Sequence, residues 1–220
     1  MSNRNLLLVF LYLITVSNVG SGTEKADMYY QNAIQPDGTA TLEEVFNLYA
    51  RSAELGHAIA QYNLAMMYSN GESVYVDYQQ AVYWFKKSAK QDFAPAQYRL
   101  GELYYFEKGG LPRDLDKAIA LFTKAAIQND PDAQMNLAML TGSGEGLALD
   151  TNKALLLMKK AGEGGNSSAH EFYNMLVASA DGKFTAVQQQ RYWLEKAAEL
   201  GISEAREALE ITNRYPDSSN

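Results

Sequence analysis

A small residue returns along this chain at a nearly constant interval. One ladder has spacings of 36, 37, 36 and 36 residues and consists of Ala60, Ala96, Ala133, Ala169 and Ala205. A second ladder runs seven residues ahead of the first and consists of Ala53, Ala89, Ala126, Gly162 and Ala198. Internal repeats of this length constrain the fold more than any other feature of a sequence. Because each unit can bury its apolar face only against its neighbours, the ladders predict a stacked solenoid.

Within one unit the apolar residues follow a helical period. From Ala60 they continue at offsets of 4, 5 and 8 residues. On a helix these positions form one stripe roughly 140° wide, as expected for a core-facing helix. Residues 81–89 give a second stripe, and the polar residues and glycine of 69–73 separate the two. Each repeat is therefore predicted to be a helix–turn–helix hairpin, which makes the fold all-α.

Short hydrogen-bond acceptors stand where these helices should begin. Three of them lie four residues before a second-helix alanine, at Asp77, Asp114 and Asp150. Thr41 and Glu44 match a capping box, and Thr185 is expected to cap the second helix of the last hairpin in the same way. Asp130 precedes a proline at the first helical position. Acid–base or metal-binding roles are the alternative for these aspartates. We interpret them as helix caps because they recur at equivalent points.

The runs from Ala60 to Ala89 and from Ala96 to Ala126 resemble the Sel-1-like repeat. The second run meets the family pattern with Leu100-Gly101, Tyr104, Gly109, Asp114, Ala118 and Ala125-Ala126. The third repeat has Thr141 at the tyrosine position, and the fourth has Tyr173-Asn174 in place of leucine–glycine. The resemblance implies a right-handed α/α superhelical solenoid of helix–turn–helix repeats, related to tetratricopeptide repeats. It also implies a protein–protein interaction scaffold.

The repeat pattern divides the chain into four kinds of segment. We expect a signal peptide at 1–21, irregular N-terminal capping helices at 22–55, and a C-terminal capping helix and tail at 202–220. Four Sel-1-like repeats are expected between them, at 56–91, 92–129, 130–165 and 166–201.

The first 21 residues have the composition of an export signal. Arg4 is followed by an uncharged stretch from Leu6 to Val16 and then by small and polar residues. An uncleaved membrane anchor is the alternative, but the apolar stretch is far shorter than the roughly 20 residues that span a bilayer. We expect cleavage near Ser21 and a secreted protein of the bacterial periplasm.

Charge and cysteine content narrow the choice of partner. Without residues 1–21 the chain has 18 basic and 26 acidic residues, a net charge of −8. This balance argues against nucleic acid and against anionic lipid as partners. The absence of cysteine excludes disulfides, a thiol nucleophile and a lipid anchor on cysteine. We expect a monomer that binds another protein and needs no cofactor and no metal.

No group of residues suggests catalysis. His57 and His170 lie three repeats apart, and His57 is expected to be a partly exposed loop residue. Residues 142–146 are glycine-rich but follow a helix and lack the lysine of a phosphate-binding loop, so they predict a turn. We therefore predict that the protein is not an enzyme.

Relatives leave narrower functions open. Some secreted relatives with cysteine pairs have been discussed as penicillin-binding or β-lactamase-like proteins, so a hydrolase acting on cell wall or β-lactams is one alternative. This chain lacks those cysteines. Other bacterial relatives are envelope adaptors, regulators of secretion or surface polysaccharide, or periplasmic immunity proteins that neutralise an antibacterial effector.

The first helices of such a solenoid line its concave groove. With core positions at Leu64, Leu100, Leu137 and Tyr173, the residues two before and two after them should face a partner. Tyr105, five residues after Leu100, extends this line. The predicted partner-binding set is Tyr62, Met66, Tyr98, Glu102, Tyr105, Met135, Met139, Glu171 and Met175. Tyrosine and methionine give adaptable contact area and suit protein surfaces. The alternative is that these side chains complete the packing between helices.

Overall fold

A computed structural model describes residues 22–34, 40–180 and 186–199, together with Arg206, Leu209 and Glu210. These residues contain ten helices of three turns or more and no strand. In chain order the helices are α1 (Gly22–Ile34), α2 (Leu42–Glu54), α3 (Ala58–Asn70), α4 (Tyr78–Ala89), α5 (Ala94–Tyr105), α6 (Leu115–Ile127), α7 (Pro131–Ser143), α8 (Thr151–Glu163), α9 (Ser167–Ala180) and α10 (Ala186–Glu199). The predicted all-α fold of helical hairpins is confirmed.

Helix starts follow the predicted capping chemistry. The carboxylate of Asp77 accepts hydrogen bonds from the backbone N–H groups of residues 79 and 80, and Asp114 and Asp150 each cap the residue three positions on. Thr41 and Glu44 form a reciprocal capping box, and Asp130 caps a helix whose first residue is proline. Each cap satisfies N–H groups that a helix cannot pair internally. Thr185 lies outside the described residues.

The chain divides into two compact units, Met1–Ala96 and Gln97–Asn220. In the first unit α1 packs on α2, α2 on α3, and α3 on α4. Two fully buried serines fix these contacts, because the Ser52 hydroxyl donates to the Ala26 carbonyl at 2.6 Å and the Ser88 hydroxyl donates to the Ala58 carbonyl at 2.7 Å. A small polar side chain thus ties each second helix to the first helix of its own hairpin.

In the second unit α6 packs on α7, α7 on α8, and α8 on α9, while α10 returns to contact α7. Two close contacts require glycine. A Cβ atom added at Gly142 would lie 2.6 Å from the ring of Trp193, and one added at Gly101 would lie 2.7 Å from Phe122. The rings of Trp193 and Phe122 therefore lie directly on helix backbone, where any side chain larger than glycine would displace them.

The two small-residue ladders differ in burial. The first ladder is fully buried at Ala60, Ala96, Ala133 and Ala169, and Ala205 lies outside the described residues. The second ladder is buried at Ala53 and Ala89 and half-buried at Ala126 and Gly162. The residue one earlier is fully buried in all four of these helices, as Ser52, Ser88, Ala125 and Ala161, so each of them buries the same face. Gly162 still needs to be small, since an added Cβ would lie 2.8 Å from the Cα of His170.

Three hairpins close with the same backbone hydrogen bond. The N–H of the capping aspartate donates to a carbonyl near the end of the first helix, from Asp77 to Tyr68 at 2.9 Å and from Asp114 to Tyr104 at 3.1 Å. The equivalent bond joins Asp150 to Thr141 at 3.1 Å. Because the acceptor is a backbone carbonyl, the threonine that departs from the family pattern keeps this closure.

The predicted signal peptide lies outside the described residues, as does most of the predicted C-terminal cap. Among the residues that the structure describes, no helix combines the length and the apolar character needed to cross a membrane. The domain boundaries given above stay a prediction.

Candidate partner-binding site

Two predicted partner-binding residues, Tyr98 and Glu102, are in direct contact on α5. Because they are four residues apart on a helix, their side chains lie one turn above each other. The Tyr98 hydroxyl donates to Glu102 Oε1 at 2.8 Å, and Arg99 Nη1 donates to Glu102 Oε2 at 2.8 Å. The Arg99 guanidinium carbon also lies 5.3 Å from the centre of the Tyr98 ring. We call these three residues the Tyr98 cluster.

The electrostatics of the Tyr98 cluster keep its phenol protonated. Burial raises the pKa of Tyr98, and the negative charge of Glu102 raises that pKa further. The hydroxyl therefore remains a donor throughout the physiological range and holds the carboxylate in one orientation. The Glu102 side chain is 23% exposed. Each carboxylate oxygen has a second lone pair, so Glu102 can accept further hydrogen bonds from a partner.

Aromatic packing fixes the rings of two predicted site residues. Tyr98 packs on Phe122 of α6 with ring centres 5.9 Å apart. At the equivalent position of the first unit, Tyr62 packs on Phe85 at 5.8 Å and on Phe93 at 5.4 Å. Both tyrosines are half-buried. The rings thus take part in packing between helices, while part of each residue remains accessible; partner binding by these tyrosines stays a prediction.

The remaining predicted site residues do not share one environment. Met66 and Met135 are half-buried, Glu171 is exposed, and the side chain of Met175 lies outside the described residues. Met139 is only 1% exposed and Tyr105 only 8% exposed, so both are core residues. The prediction that these two face a groove is wrong. The prediction came from counting along a single helix, which carries no information on neighbouring segments such as Glu145 beside Tyr105.

Tyr105 belongs to a buried polar cluster that sequence reasoning missed. Its hydroxyl lies 3.1 Å from Glu145 Oε2, and Arg113 Nη2 donates to Glu145 Oε1 at 2.7 Å. The Glu145 side chain is 4% exposed, so both donors compensate a carboxylate removed from water. The only sequence signal is that Glu145 follows the glycine cap of a first helix, as Glu72 does two repeats earlier. This cluster joins two successive hairpin turns of the second unit.

Glutamines that follow the first alanine ladder form a second missed feature. Gln61 Nε2 donates to the carbonyl of Ala53 at 3.0 Å, and Gln134 Nε2 donates to the carbonyl of Ala126 at 3.2 Å. Both side chains are buried. Each glutamine is a second donor to its carbonyl, because Ala53 also accepts from the N–H of Gly56 and Ala126 from that of Asn129, both at 3.0 Å. The recurrence of glutamine directly after Ala60, Ala96 and Ala133 was the available signal.

His57, predicted to be a partly exposed residue at a helix entrance, is half-buried and forms the N-cap of α3. Its Nδ1 accepts a hydrogen bond from the N–H of Ala60 at 3.1 Å, and its ring stacks on Tyr30 at 4.3 Å. Nε2 lies 3.5 Å from Asp27 Oδ1. Burial lowers the pKa of His57, although the charge of Asp27 acts in the opposite direction. The neutral imidazole therefore joins α1 to the start of the first repeat.

Catalytic chemistry finds little support in the described ranges. They contain no group of three or more His, Cys, Asp or Glu side chains placed to hold a metal ion. Burial raises the pKa of Asp130, but its carboxylate caps α7. The glycine-rich stretch at 142–146 ends α7 at Ser143, with Gly144 in the left-handed region at φ 80°. The predicted turn is confirmed there.

Comparisons with known proteins match this geometry. The family model described as the Sel1 repeat matches residues 58–93, 94–130, 131–166 and 191–202, more than half of the chain. The crystal structure of a Sel1 repeat protein from Oxalobacter formigenes is similar, with a TM-score of 0.65, 25% identity, and coverage of 87% of this chain and 78% of that one. A protective antigen present in uropathogenic Escherichia coli strains, which displays the same repeat fold, gives a TM-score of 0.61 and 27% identity over 88% of this chain and 41% of that one.

Curated relatives match only in part. An uncharacterised protein of Neisseria meningitidis serogroup B is 38% identical over 91 residues, which are 41% of this chain and 18% of the relative. Chitin synthase regulatory factor 3 of Schizosaccharomyces pombe is 31% identical over 119 residues, which are 52% of this chain and 13% of the relative. The match thus spans less than a fifth of either relative, so similarity here concerns the repeats and not the whole proteins.

Proposed function

This chain belongs to the Sel1 repeat family, and on that premise we propose that it is a non-enzymatic scaffold that binds another protein of the bacterial envelope through its first helices. The Sel1 repeat fold suggests protein–protein interaction. The observation that carries the proposal for this chain is the Tyr98 cluster, in which a packed tyrosine and an arginine orient a partly exposed carboxylate.

A preorganised cluster of this kind suits recognition. Tyrosine and arginine are enriched among the residues that dominate binding energy at protein interfaces. Because Tyr98 already packs on Phe122 and bonds to Glu102, little side-chain freedom is lost when a partner binds. Glu102 then offers its remaining lone pairs to donors of the partner, such as lysine, arginine or backbone N–H groups.

The proposal assigns no catalytic step to the chain. Shifted pKa values support enzyme sites only where the shifted groups are poised for chemistry. Here His57 and Asp130 each cap a helix, and Tyr98 orients a carboxylate. A structural role thus accounts for each of these groups.

Export to the periplasm is part of the proposal. It rests on the uncharged stretch from Leu6 to Val16 and the small residues after it. Helix α1 begins at Gly22, so cleavage after Ser21 would leave the described helices intact. Sequencing the N-terminus of protein from a periplasmic extract tests this. A chain that begins at Gly22 or Thr23 supports export, and an intact N-terminus in the cytosolic fraction contradicts it.

An immunity role is a special case of the same binding function. An acidic, signal-bearing chain with a single repeat array is compatible with neutralising an antibacterial effector. The test is co-expression with the toxic product of a neighbouring gene. The immunity role is supported if the exported chain protects the host cell and a chain kept in the cytosol does not. If the chain binds no toxic product of a neighbouring gene, the adaptor role is left.

The experiment that tests the binding function starts with affinity capture from the native envelope, followed by titration of the purified partner. Glu102→Gln removes the charge of the candidate site while keeping its shape. Glu163→Gln on α8 is the matched control. The Glu163 side chain is exposed and lies 3.8 Å from Lys159, whereas Glu102 is held by two hydrogen bonds of 2.8 Å. Weaker binding of E102Q alone supports the proposal. Equal affinities of both variants and the native chain would show that the Tyr98 cluster is not the binding site.

A further inference from the structure

The solvent-exposed face of α4 carries an aromatic residue surrounded by lysines. Positions 83, 86, 87 and 90 fall within about 100° of one another on the helix. All four side chains, Tyr83, Lys86, Lys87 and Lys90, are exposed. The opposite face holds the buried residues Ala81, Trp84, Phe85 and Ser88. We call the exposed set the α4 stripe.

Cation–π contacts organise the centre of the α4 stripe. Lys87 Nζ lies 4.6 Å from the centre of the Tyr83 ring and 5.0 Å from that of Trp84. The two rings meet edge to face at 4.9 Å. Trp84 is anchored in the core, whereas Tyr83 is 47% exposed. The ammonium group and the phenol are therefore held in place before any partner binds.

The charge of the α4 stripe is unusual for this chain. Residues 78–91 contain three lysines and no aspartate or glutamate, whereas the whole chain has 26 acidic and 19 basic residues. Within the described part of the chain, none of the three lysines forms an ion pair. The surface therefore presents three lysines whose ammonium groups are not engaged in ion pairs with the described residues, although Asp77 and Asp92 flank the segment.

Helix-dipole chemistry accounts for only part of this charge. The carbonyl end of a helix carries roughly half a negative elementary charge, which one basic side chain in the last turn complements. Helix α6 has one such residue, Lys124, whereas α8 carries Lys159 and Lys160 at the repeat positions equivalent to Lys86 and Lys87. Helix α4 has two in its last turn, Lys86 and Lys87, and Lys90 follows as the C-cap. Lys90, which stands where α8 has Glu163, and the exposed Tyr83 distinguish α4 from that helix and call for a different explanation.

We propose that the α4 stripe docks an acidic segment of a partner protein. Carboxylates spaced three or four residues apart on a helical segment would face the three lysines, while an apolar side chain of that segment would cover Tyr83. A protein segment fits better than a bilayer or a nucleic acid, because an overall acidic chain is repelled from uniformly anionic surfaces. This proposal concerns different residues from the Tyr98 cluster and does not depend on it.

A designed peptide tests the proposal directly. The probe is a fluorescently labelled helical peptide with glutamate at every third or fourth position, and its control has glutamine at the same positions. Each exposed ion pair contributes only modestly to binding, so all three lysines are changed together. The variant K86Q/K87Q/K90Q of the full chain should therefore bind the glutamate peptide about tenfold more weakly in fluorescence anisotropy, and Tyr83→Ala should weaken binding several-fold.

The matched control is K153Q/K159Q/K160Q on α8, which removes the same charge from another second helix whose lysines are also exposed. It should bind the peptide within about twofold of the native chain. Equal weakening by both triple variants would overturn the proposal, because general charge would then explain binding. Failure of the native chain to bind the glutamate peptide at low salt would also overturn it. So would preferential, α4-dependent binding to phosphatidylglycerol vesicles, since the ligand would then be a membrane. Circular dichroism confirms that each variant is folded.

Discussion

The hydroxyl of Tyr105 donates a hydrogen bond to the carboxylate of Glu145, 3.1 Å away, across 40 residues of sequence. Together with Arg113 it compensates a carboxylate that is almost completely removed from water. A buried charge is tolerated only where such partners are present. The contact therefore connects two hairpin turns and depends on all three side chains at once.

Replacing Glu145 with alanine should lower the free energy of unfolding by about 1–3 kcal/mol, because the Tyr105 hydroxyl would remain buried without its acceptor. Thermal or urea unfolding followed by circular dichroism measures this. Glu72→Ala is the matched control, since Glu72 also follows a glycine C-cap but is exposed. It should change stability by no more than about 0.5 kcal/mol. Equal effects of the two changes would mean that the buried cluster contributes nothing.

Position 133 should not accept a side chain larger than alanine without a loss of stability. Ala133 is fully buried between helices, so Ala133→Leu should overpack the contact and cost roughly 1–3 kcal/mol. The same change at Ala120, an exposed position on α6, should be nearly neutral. Melting temperatures of the two variants give the comparison. A similar loss at both positions would contradict the register assigned to the repeats.

Local rules account for the parts of the fold that were predictable from the sequence. The first ladder from Ala60 and the caps at Asp77, Asp114 and Asp150 depend on spacing and on chemistry within a few residues, which the sequence displays directly. The contact between Tyr98 and Glu102 was similarly accessible, because the two residues lie one helical turn apart.

Features that depend on distant residues were not predictable in this way. Tyr105 was assigned to a groove because the residue that covers it, Glu145, is 40 positions away. The burial of Met139 depends on how far α7 is rotated against its neighbours, and a rotation of one residue moves a side chain by about 100°. Helical periodicity cannot fix such a rotation when apolar residues occur on more than one side of the helix.

The buried glutamines should contribute to stability, although they do not belong to the predicted partner-binding set. Gln61→Ala removes the hydrogen bond to the Ala53 carbonyl and the contact with Gln91, so it should cost about 0.5–1.5 kcal/mol for each hydrogen bond lost. Gln79→Ala changes an exposed glutamine on α4 and should have little effect. Urea unfolding of both variants measures the difference. If Gln61→Ala unfolds like the native chain, water replaces the amide without cost.

Acidic pH should loosen the contact between α1 and α3 through His57. Burial lowers the pKa of this residue below its ordinary value of 6.5, so protonation favours the unfolded chain. Its contribution is therefore complete above about pH 6.5 and is lost as the pH falls through the lowered pKa. Protonated Nδ1 can no longer accept from Ala60, which removes an N-cap interaction of about 1 kcal/mol.

Melting temperatures between about pH 7.5 and pH 5 test this. His57→Asn keeps a good N-cap without a titrating group, so the native chain should lose more stability than this variant on acidification. His170→Asn changes an exposed histidine on α9 and should behave like the native chain. Parallel pH profiles for the native chain and H57N would refute the role of His57.

Binding should depend on the Tyr98 cluster in a way that separates recognition from packing. Tyr98→Phe keeps the ring on Phe122 but removes the hydrogen bond that orients Glu102, so stability should fall by no more than about 1.5 kcal/mol. The affinity of this variant for the partner captured from the envelope should also fall, because Glu102 loses the hydrogen bond from Tyr98 that helps to orient it. Tyr98→Ala should weaken binding by about 2 kcal/mol or more if this residue dominates the interface. Glu102→Lys should weaken it further where the partner is basic, and that additional loss should shrink at high salt. Isothermal titration with each variant, alongside its melting temperature, distinguishes a role in recognition from a role in packing.

A large loss of stability with unchanged affinity in Tyr98→Ala would show that the tyrosine serves the core alone. Unchanged stability and affinity in all three variants would place the partner on another face of the repeats.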